Sequence, residues 1–113
     1  MNSTKKIKVY EAKFIEDENG SWKDFVALIE RANSLKKIPE KITVIQKQNY
    51  LSITADISRV VYNNRQFVDF KGRGMSQVRV NRQGFDYFAV NNRDNEISVV
   101  YDNKLTYIIS FYS

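Results

Sequence analysis

The chain has 113 residues and a formal net charge of +5, and 42% of its residues are hydrophobic and 13% aromatic. This length and composition are typical of a single globular domain, residues 1–113, that buries its own core, and they exclude a disordered tail. The absence of both Cys and His excludes a disulfide framework, a thiolate metal site and the most common general base of enzymes.

What the sequence lacks narrows the range of functions further. The first residues include lysines but no apolar run of the length that a signal peptide requires, and no stretch approaches the length of a membrane span. We therefore expect a cytoplasmic protein that has no contact with membranes. The residue types present indicate no metal ion and no resident cofactor, and they favour a non-enzymatic role.

The positive charge is concentrated in the middle of the sequence. Residues 41–82 contain eight basic and two acidic residues, a net charge of +6, whereas residues 1–40 and 83–113 have net charges of +1 and −2. A local excess of this kind is typical of a protein that meets a polyanion, such as nucleic acid or an acidic protein surface. The alternative is a solvated face that only keeps a small domain soluble.

The first predicted elements are a strand and a helix. Residues 6–15 alternate with apolar side chains on both parities, which predicts a strand covered on both faces. Ser21 and Asp24 then have the spacing of a capping box. Apolar residues recur behind them at helical spacing and form one stripe: Trp22, Phe25, Val26, Ile29 and Ala32. Pro39 prevents continuation, so the sequence predicts one helix over about 22–36 that packs against a sheet.

From residue 41 onward the hydrophobic period changes to two, which is typical of strands. Residues 59–62 favour either a strand or a turn. The other predicted strands are 41–46, 50–57, 65–70, 77–81, 85–90, 96–101 and 105–112. Together these elements predict an α+β fold, in which a twisted antiparallel sheet of six to eight strands, mostly hairpins, packs against one N-terminal helix.

Two of these strands carry specific expectations. In 50–57, the alternation predicts a half-buried strand with Leu51, Ile53, Ala55 and Ile57 on its buried face. Residues 105–112 are apolar and uncharged, and an exposed edge of that composition would recruit other chains. We therefore expect this last strand to be central in the sheet or to be sealed by a partner, for example in a homodimer.

Residues 65–90 combine five basic residues, three of the four glycines and five aromatic residues. The donors in this segment suit phosphates and base edges, and the candidate nucleic-acid contacts are Arg65, Lys71, Arg73, Gln77, Arg79 and Arg82. The nearby aromatic side chains could also stack on unpaired bases; they are Phe67, Phe85, Tyr87 and Phe88. In strands, however, aromatic side chains more often pack against residues of the neighbouring strand. Changing both Arg73 and Arg79 to Glu should nearly abolish binding to any oligonucleotide and leave the melting temperature close to that of the wild type.

The loop 71–74 has the sequence Lys-Gly-Arg-Gly, with two glycines at alternate positions and two cations. Such a loop could turn its backbone N–H groups toward an anion. It lacks the pattern of a phosphate-binding P-loop, and glycine marks turns far more often than phosphate sites. We favour a hairpin turn with two basic residues.

Three functional hypotheses follow from these patterns. The first is a non-enzymatic module that binds nucleic acid or a nucleoprotein complex through the hairpin of residues 65–90. The second is a protein–protein interaction module, such as an inhibitor from a mobile element or phage or a virion component, that docks on an acidic partner surface. The third is a small histidine-free RNase of the toxin type, which would use Arg73, Arg79 and Asp86.

Overall fold

The computed structural model describes residues 21–49, 51–62, 66–74, 76–91, 93–101 and 104–112. The elements within these ranges are α1 (Trp22–Ser34), β1 (Pro39–Gln46), a short 3-10 helix (Lys47–Asn49), β2 (Leu51–Asp56), β3 (Arg59–Val61), β4 (Phe67–Lys71), β5 (Gln77–Asn81), β6 (Phe85–Asn91), β7 (Glu96–Tyr101) and β8 (Leu105–Phe111). The strand predicted over residues 6–15 lies outside the described residues.

All strand pairs in these ranges are antiparallel, and the strands form two sheets. The large sheet has the order β2-β1-β8-β7-β6, and the small sheet has the order β3-β4-β5. The predicted α+β fold is confirmed, since the described residues contain one α-helix, on the N-terminal side, and eight antiparallel strands, within the predicted six to eight. The strands are divided between two sheets.

Among the described residues, no helix has the length and apolar character needed to cross a membrane.

The start of α1 follows from its capping residues. The Ser21 hydroxyl accepts a hydrogen bond from the Asp24 backbone N–H at 3.2 Å, and the Asp24 carboxylate accepts one from the Ser21 backbone N–H at 3.4 Å. The predicted capping box is therefore confirmed. The predicted apolar stripe is buried in full, together with Leu28.

The end of α1 lies two residues before the predicted boundary. Ser34 is the last helical residue, because Lys36 has a φ of 58° in the left-handed region. The backbone N–H groups of Lys36 and Lys37 donate to the carbonyls of Asn33 and Ala32, both at 2.9 Å. This is the Schellman arrangement, in which glycine usually occupies the position that Lys36 has here.

One hydrophobic core joins the helix to both sheets. α1 packs against β6, where the Phe25 ring lies 5.8 Å from the Phe88 ring between centroids. The small sheet contributes Val68, Phe70 and Val80, which are buried in the same cluster. Residues of both sheets therefore share one core with the helix.

The sheets are also joined by a part-buried hydrogen bond. The Tyr101 hydroxyl on β7 donates to the Asn81 carbonyl at the end of β5. Burial raises the pKa of Tyr101 above its ordinary value, so this hydroxyl stays protonated as a donor.

β8 occupies the middle of the large sheet. It is hydrogen-bonded to β1 along one edge and to β7 along the other. This confirms the first alternative for the C-terminal strand, a central position. The second alternative is a homodimer formed by pairing through this strand. Neither edge of β8 is available for such pairing, because β1 and β7 occupy both edges.

β2 departs from the sequence prediction. Leu51 and Ile53 were expected on a buried face, but they are 46% and 56% exposed, while Ala55 is half-buried and Ile57 is buried. The prediction is wrong for the first two residues because β2 is an edge strand and the helix packs at the opposite edge, on β6. The core face of the sheet therefore becomes more exposed as it approaches β2.

Candidate functional site

The small sheet has one apolar face and one polar face. Paired residues of antiparallel strands project to the same side, so the register decides which residues share each face. The inner face carries Val60, Val68, Phe70, Val78 and Val80. The opposite side, called the outer face below, carries three rows: Arg59–Lys71–Gln77, Val61–Asp69–Arg79 and Phe67–Asn81.

Three of the six predicted contact residues share the outer face. These are Lys71, Gln77 and Arg79, and the structure adds Arg59, which pairs with Lys71. Arg59 is not among the contacts predicted from the sequence, because the pattern of residues 59–62 favours a strand and a turn equally. A signal was present, since Arg59 and Val61 share one parity and the apolar Val60 lies between them.

Arg79 is held in place by two neighbours. Its Nε and Nη2 atoms donate to the two Asp69 carboxylate oxygens at 2.7 and 3.0 Å. Its Cζ atom lies 3.8 Å from the centroid of the Phe67 ring. The Asp69 side chain is 6% exposed and the Arg79 side chain 45% exposed. Hydrogen bonding to Asp69 raises the pKa of Arg79 above its already high ordinary value, so Arg79 stays charged.

This ion pair changes the interpretation of Arg79. The sequence predicts a free surface cation at Arg79, but Asp69 balances its charge and occupies the Nε–Nη2 side of its guanidinium group. The pairing could have been found from the hairpin geometry. β4 and β5 are paired symmetrically about Gly74, which places residue 69 opposite residue 79.

The glycines of the β4–β5 turn have structural roles. The Gly72 backbone N–H donates to the Ser76 carbonyl at 3.0 Å, and Gly74 has a φ of 69°, which favours glycine. A Cβ atom added to Gly72 would lie 2.8 Å from the Asp56 carbonyl oxygen, so a side chain has no room there. The N–H of Gly72 is therefore committed within the turn, in agreement with the hairpin interpretation of this loop.

The remaining predicted contacts lie away from the outer face. Arg73 is exposed in the β4–β5 turn and lines a cleft of about 400 Å³ that also contains Glu40 and Asp56. Arg82 is exposed in the β5–β6 turn, where it lines a pocket with Trp22 at the start of α1. The two arginines flank the five-residue strand β5, which is about 17 Å long.

Arg65 falls among the residues that the structure leaves undescribed.

The aromatic residues that were candidates for base stacking have separate environments. Phe88 is buried, and Phe85 is half-buried with its ring centroid 5.4 Å from that of Trp22. Tyr87 lies on β6 of the large sheet and is half-buried. Phe67 belongs to the outer face, where the Arg79 guanidinium lies over its ring.

The residues of the RNase hypothesis come from three elements. Arg73 belongs to the β4–β5 turn, Arg79 is bonded to Asp69, and Asp86 is exposed on β6 of the other sheet. The part of the chain that the structure describes contains no group of three or more Asp, Glu, His or Cys side chains that could hold a metal ion. Hydrolysis by this trio stays a prediction from sequence.

Comparisons with known proteins returned no match, either to protein-family models, to curated proteins or to solved structures. The function has to be argued from the outer face and its surroundings.

Proposed function

We propose that this protein is a small binding module that contacts nucleic acid through the outer face of the small sheet. The observation that carries the proposal is the charge of that face. Arg59, Lys71 and Arg79 share it with one carboxylate among the described residues, Asp69. Lys and Arg contacts to phosphates supply most of the non-specific affinity of nucleic-acid-binding proteins, so such a face suits a polyanion.

The row Arg59–Lys71–Gln77 is the most suitable part of this face for phosphates. Neighbouring strands lie about 4.8 Å apart, so the three side chains leave the sheet as a continuous line of donors. Arg59 and Gln77 are exposed and Lys71 is half-buried. Arg73 and Arg82 lie in the turns at the two ends of β5, outside this row.

The test is a measurement of binding to fluorescently labelled oligonucleotides as a function of salt concentration. With three or four phosphate contacts, log K against log[salt] should have a slope of roughly −2 to −4. The double variant Arg59→Glu/Lys71→Glu should lose nearly all binding. The control variant Lys36→Glu/Lys37→Glu, with the same charge change beyond the end of α1, should be affected much less.

A wild-type protein that binds no single- or double-stranded DNA or RNA at ~50 mM salt, where non-specific contacts are strong, would refute the proposal. If binding persists in Arg59→Glu/Lys71→Glu, only the assignment of the face is wrong.

The second candidate function is docking on an acidic protein surface. Leu51 and Ile53 favour it, because they are exposed on the edge strand β2. Apolar side chains of this kind form the buried centres of protein–protein interfaces, while a basic face would meet the acidic rim of the partner. This candidate takes first place if the oligonucleotide measurements are negative.

A further inference from the structure

We infer that Arg79 provides a stacking surface for an unpaired base, so that the outer face selects single-stranded nucleic acid. The inference rests on the function proposed above and adds the class of ligand. It follows from the arrangement of Arg79, Asp69 and Phe67, because the proposed function uses only the charge of Arg79 and gives its planar group no role.

The contacts of Arg79 leave one face of its guanidinium group for a ligand. The group is planar, with two flat faces and a hydrogen-bonding edge. The Phe67 ring covers one face, with 3.8 Å between Cζ and the ring centroid, and the Asp69 carboxylate occupies the Nε and Nη2 side of the edge. Among the described residues, no further contact occupies the second face or the Nη1 side, and the Arg79 side chain is 45% exposed.

The same contacts make Arg79 a poor phosphate ligand. Arginine recognises phosphate through two parallel N–H donors, and the Nε–Nη2 pair of Arg79 is already used on Asp69, so a phosphate could approach only the Nη1 side. The carboxylate also balances the positive charge that would attract a phosphate. A ligand that approaches the free face gains from contact with a flat, polarisable group and does not have to displace Asp69.

Arg79 is also ordered before any ligand binds. The two hydrogen bonds and the ring beneath the guanidinium hold its plane in one orientation, so little conformational entropy is left to lose on binding. Arginine planes and aromatic rings are the side chains on which proteins stack unpaired bases, and Phe67 and Arg79 supply both in one stack. In a duplex the bases are stacked on each other and cannot reach such a surface.

The neighbouring row of the outer face completes the site. Lys71 and Gln77 lie two positions from Asp69 and Arg79 on the same strands, and Arg59 extends their row on β3. A base on Arg79 would therefore place the adjoining phosphates beside these donors. Backbone contacts and one stacking contact together are the usual composition of a single-strand binding surface.

The experiment compares three labelled probes of equal length by fluorescence anisotropy at ~100 mM salt. They are an oligouridine of about ten nucleotides, the same oligomer with abasic sugars, and a duplex; this length is within the range of single-strand binding sites. Wild type should bind oligouridine about five- to one-hundred-fold more tightly than the abasic oligomer, which carries the same phosphates. It should also prefer oligouridine to the duplex.

The variant Arg79→Lys keeps the positive charge and loses the planar group. Its affinity for oligouridine should fall to that for the abasic oligomer, while its affinity for the abasic oligomer and its salt dependence stay unchanged. Arg93→Lys is the control, because it makes the same change at an exposed position in the β6–β7 turn, away from the outer face.

Three results would overturn the inference. If wild type binds oligouridine and the abasic oligomer equally, or prefers the duplex, there is no stacking surface, although nucleic-acid binding stands. If a folded Arg79→Lys retains the preference for bases, another residue stacks. If wild type binds none of the three probes, the proposed function fails together with the inference. If the variant does not fold, the comparison of probes with wild type still decides whether the protein has a stacking surface for unpaired bases.

Discussion

The change Phe25→Ala is expected to remove a large part of the folding stability. Phe25 is 0% exposed, and its ring lies 5.4 Å from Trp22, 5.8 Å from Phe88 and 6.4 Å from Phe85 between centroids. A buried aromatic side chain covers about 150–250 Å², worth about 4–6 kcal/mol at about 25 cal/mol per Å², of which alanine retains a part. The neighbouring rings are rigid and cannot fill the space, so we expect a loss of about 3–5 kcal/mol.

Urea unfolding, followed by far-ultraviolet circular dichroism and by the fluorescence of Trp22, measures this loss. A chain of this length has a total stability of about 6–17 kcal/mol, so the variant should still fold or be close to its midpoint in water. With an m-value of about 1.5 kcal/mol/M, the midpoint should fall by about 2–3 M urea. Lys23→Ala, on the exposed side of the same helix, should change the stability by less than about 0.5 kcal/mol. A loss below about 1 kcal/mol for Phe25→Ala would mean that α1 does not pack on the large sheet as described.

Three further predictions concern backbone strain and charge. Lys36→Gly should raise the free energy of unfolding by up to about 1 kcal/mol, because glycine has no penalty in the left-handed region; no change in the urea midpoint would contradict the Schellman end of α1. Arg79→Glu should lower the melting temperature by setting a second carboxylate against buried Asp69, whereas Arg73→Glu should leave it nearly unchanged; equal melting curves would show that the ion pair does not form. Burial raises the pKa of Glu96, so the folded state binds this proton more tightly and loses stability as the pH rises through the raised pKa. Glu96→Gln should therefore raise the melting temperature at about pH 7 and not at about pH 3.5, and a gain of equal size at both would rule out this origin.

The helix and the strands could be predicted because their signals are local. Ser21 and Asp24 are three residues apart, and the apolar stripe of α1 repeats every three or four residues. The end of the helix could not be placed, since a lysine in the left-handed region has no signature in the sequence. The usual glycine is absent at Lys36, and the prediction ran on toward Pro39.

The error at β2 has a different origin. Alternation shows that Leu51 and Ile53 share a face, and this was correct, as their register with β1 shows. It does not show how far the covering helix extends across the sheet. The sheet order puts β2 at one edge and β6, which packs on α1, at the other. Burial on a shared face depends on that order, which comes from pairings between residues far apart in sequence.

For the charged residues of the candidate site, too, the sequence could predict only part of the arrangement. Counting basic residues pointed to residues 41–82, and the outer face lies within this positive middle of the chain. Counting could not show that Arg79 is paired with Asp69, whereas Arg59 and Lys71 share a row without a carboxylate. Only the register of β4 with β5 distinguishes Arg79, whose charge Asp69 balances, from the other cations, and our proposal of a stacking role for Arg79 rests on that pairing.

Because of where the outer face lies, substitutions at some of its residues should affect binding alone, whereas substitutions at others should affect binding and stability together. β4 is the central strand of the small sheet, so Val68 and Phe70 bury their side chains in the core while Asp69, between them, supports Arg79 on the other side. Changes at Asp69 therefore act on folding and on the site together. Arg59 and Lys71 have side chains outside the core, and changes there should act on binding alone. A variant at Asp69 that lost affinity would thus say little about function, whereas a loss at Arg59 with unchanged melting would assign the face.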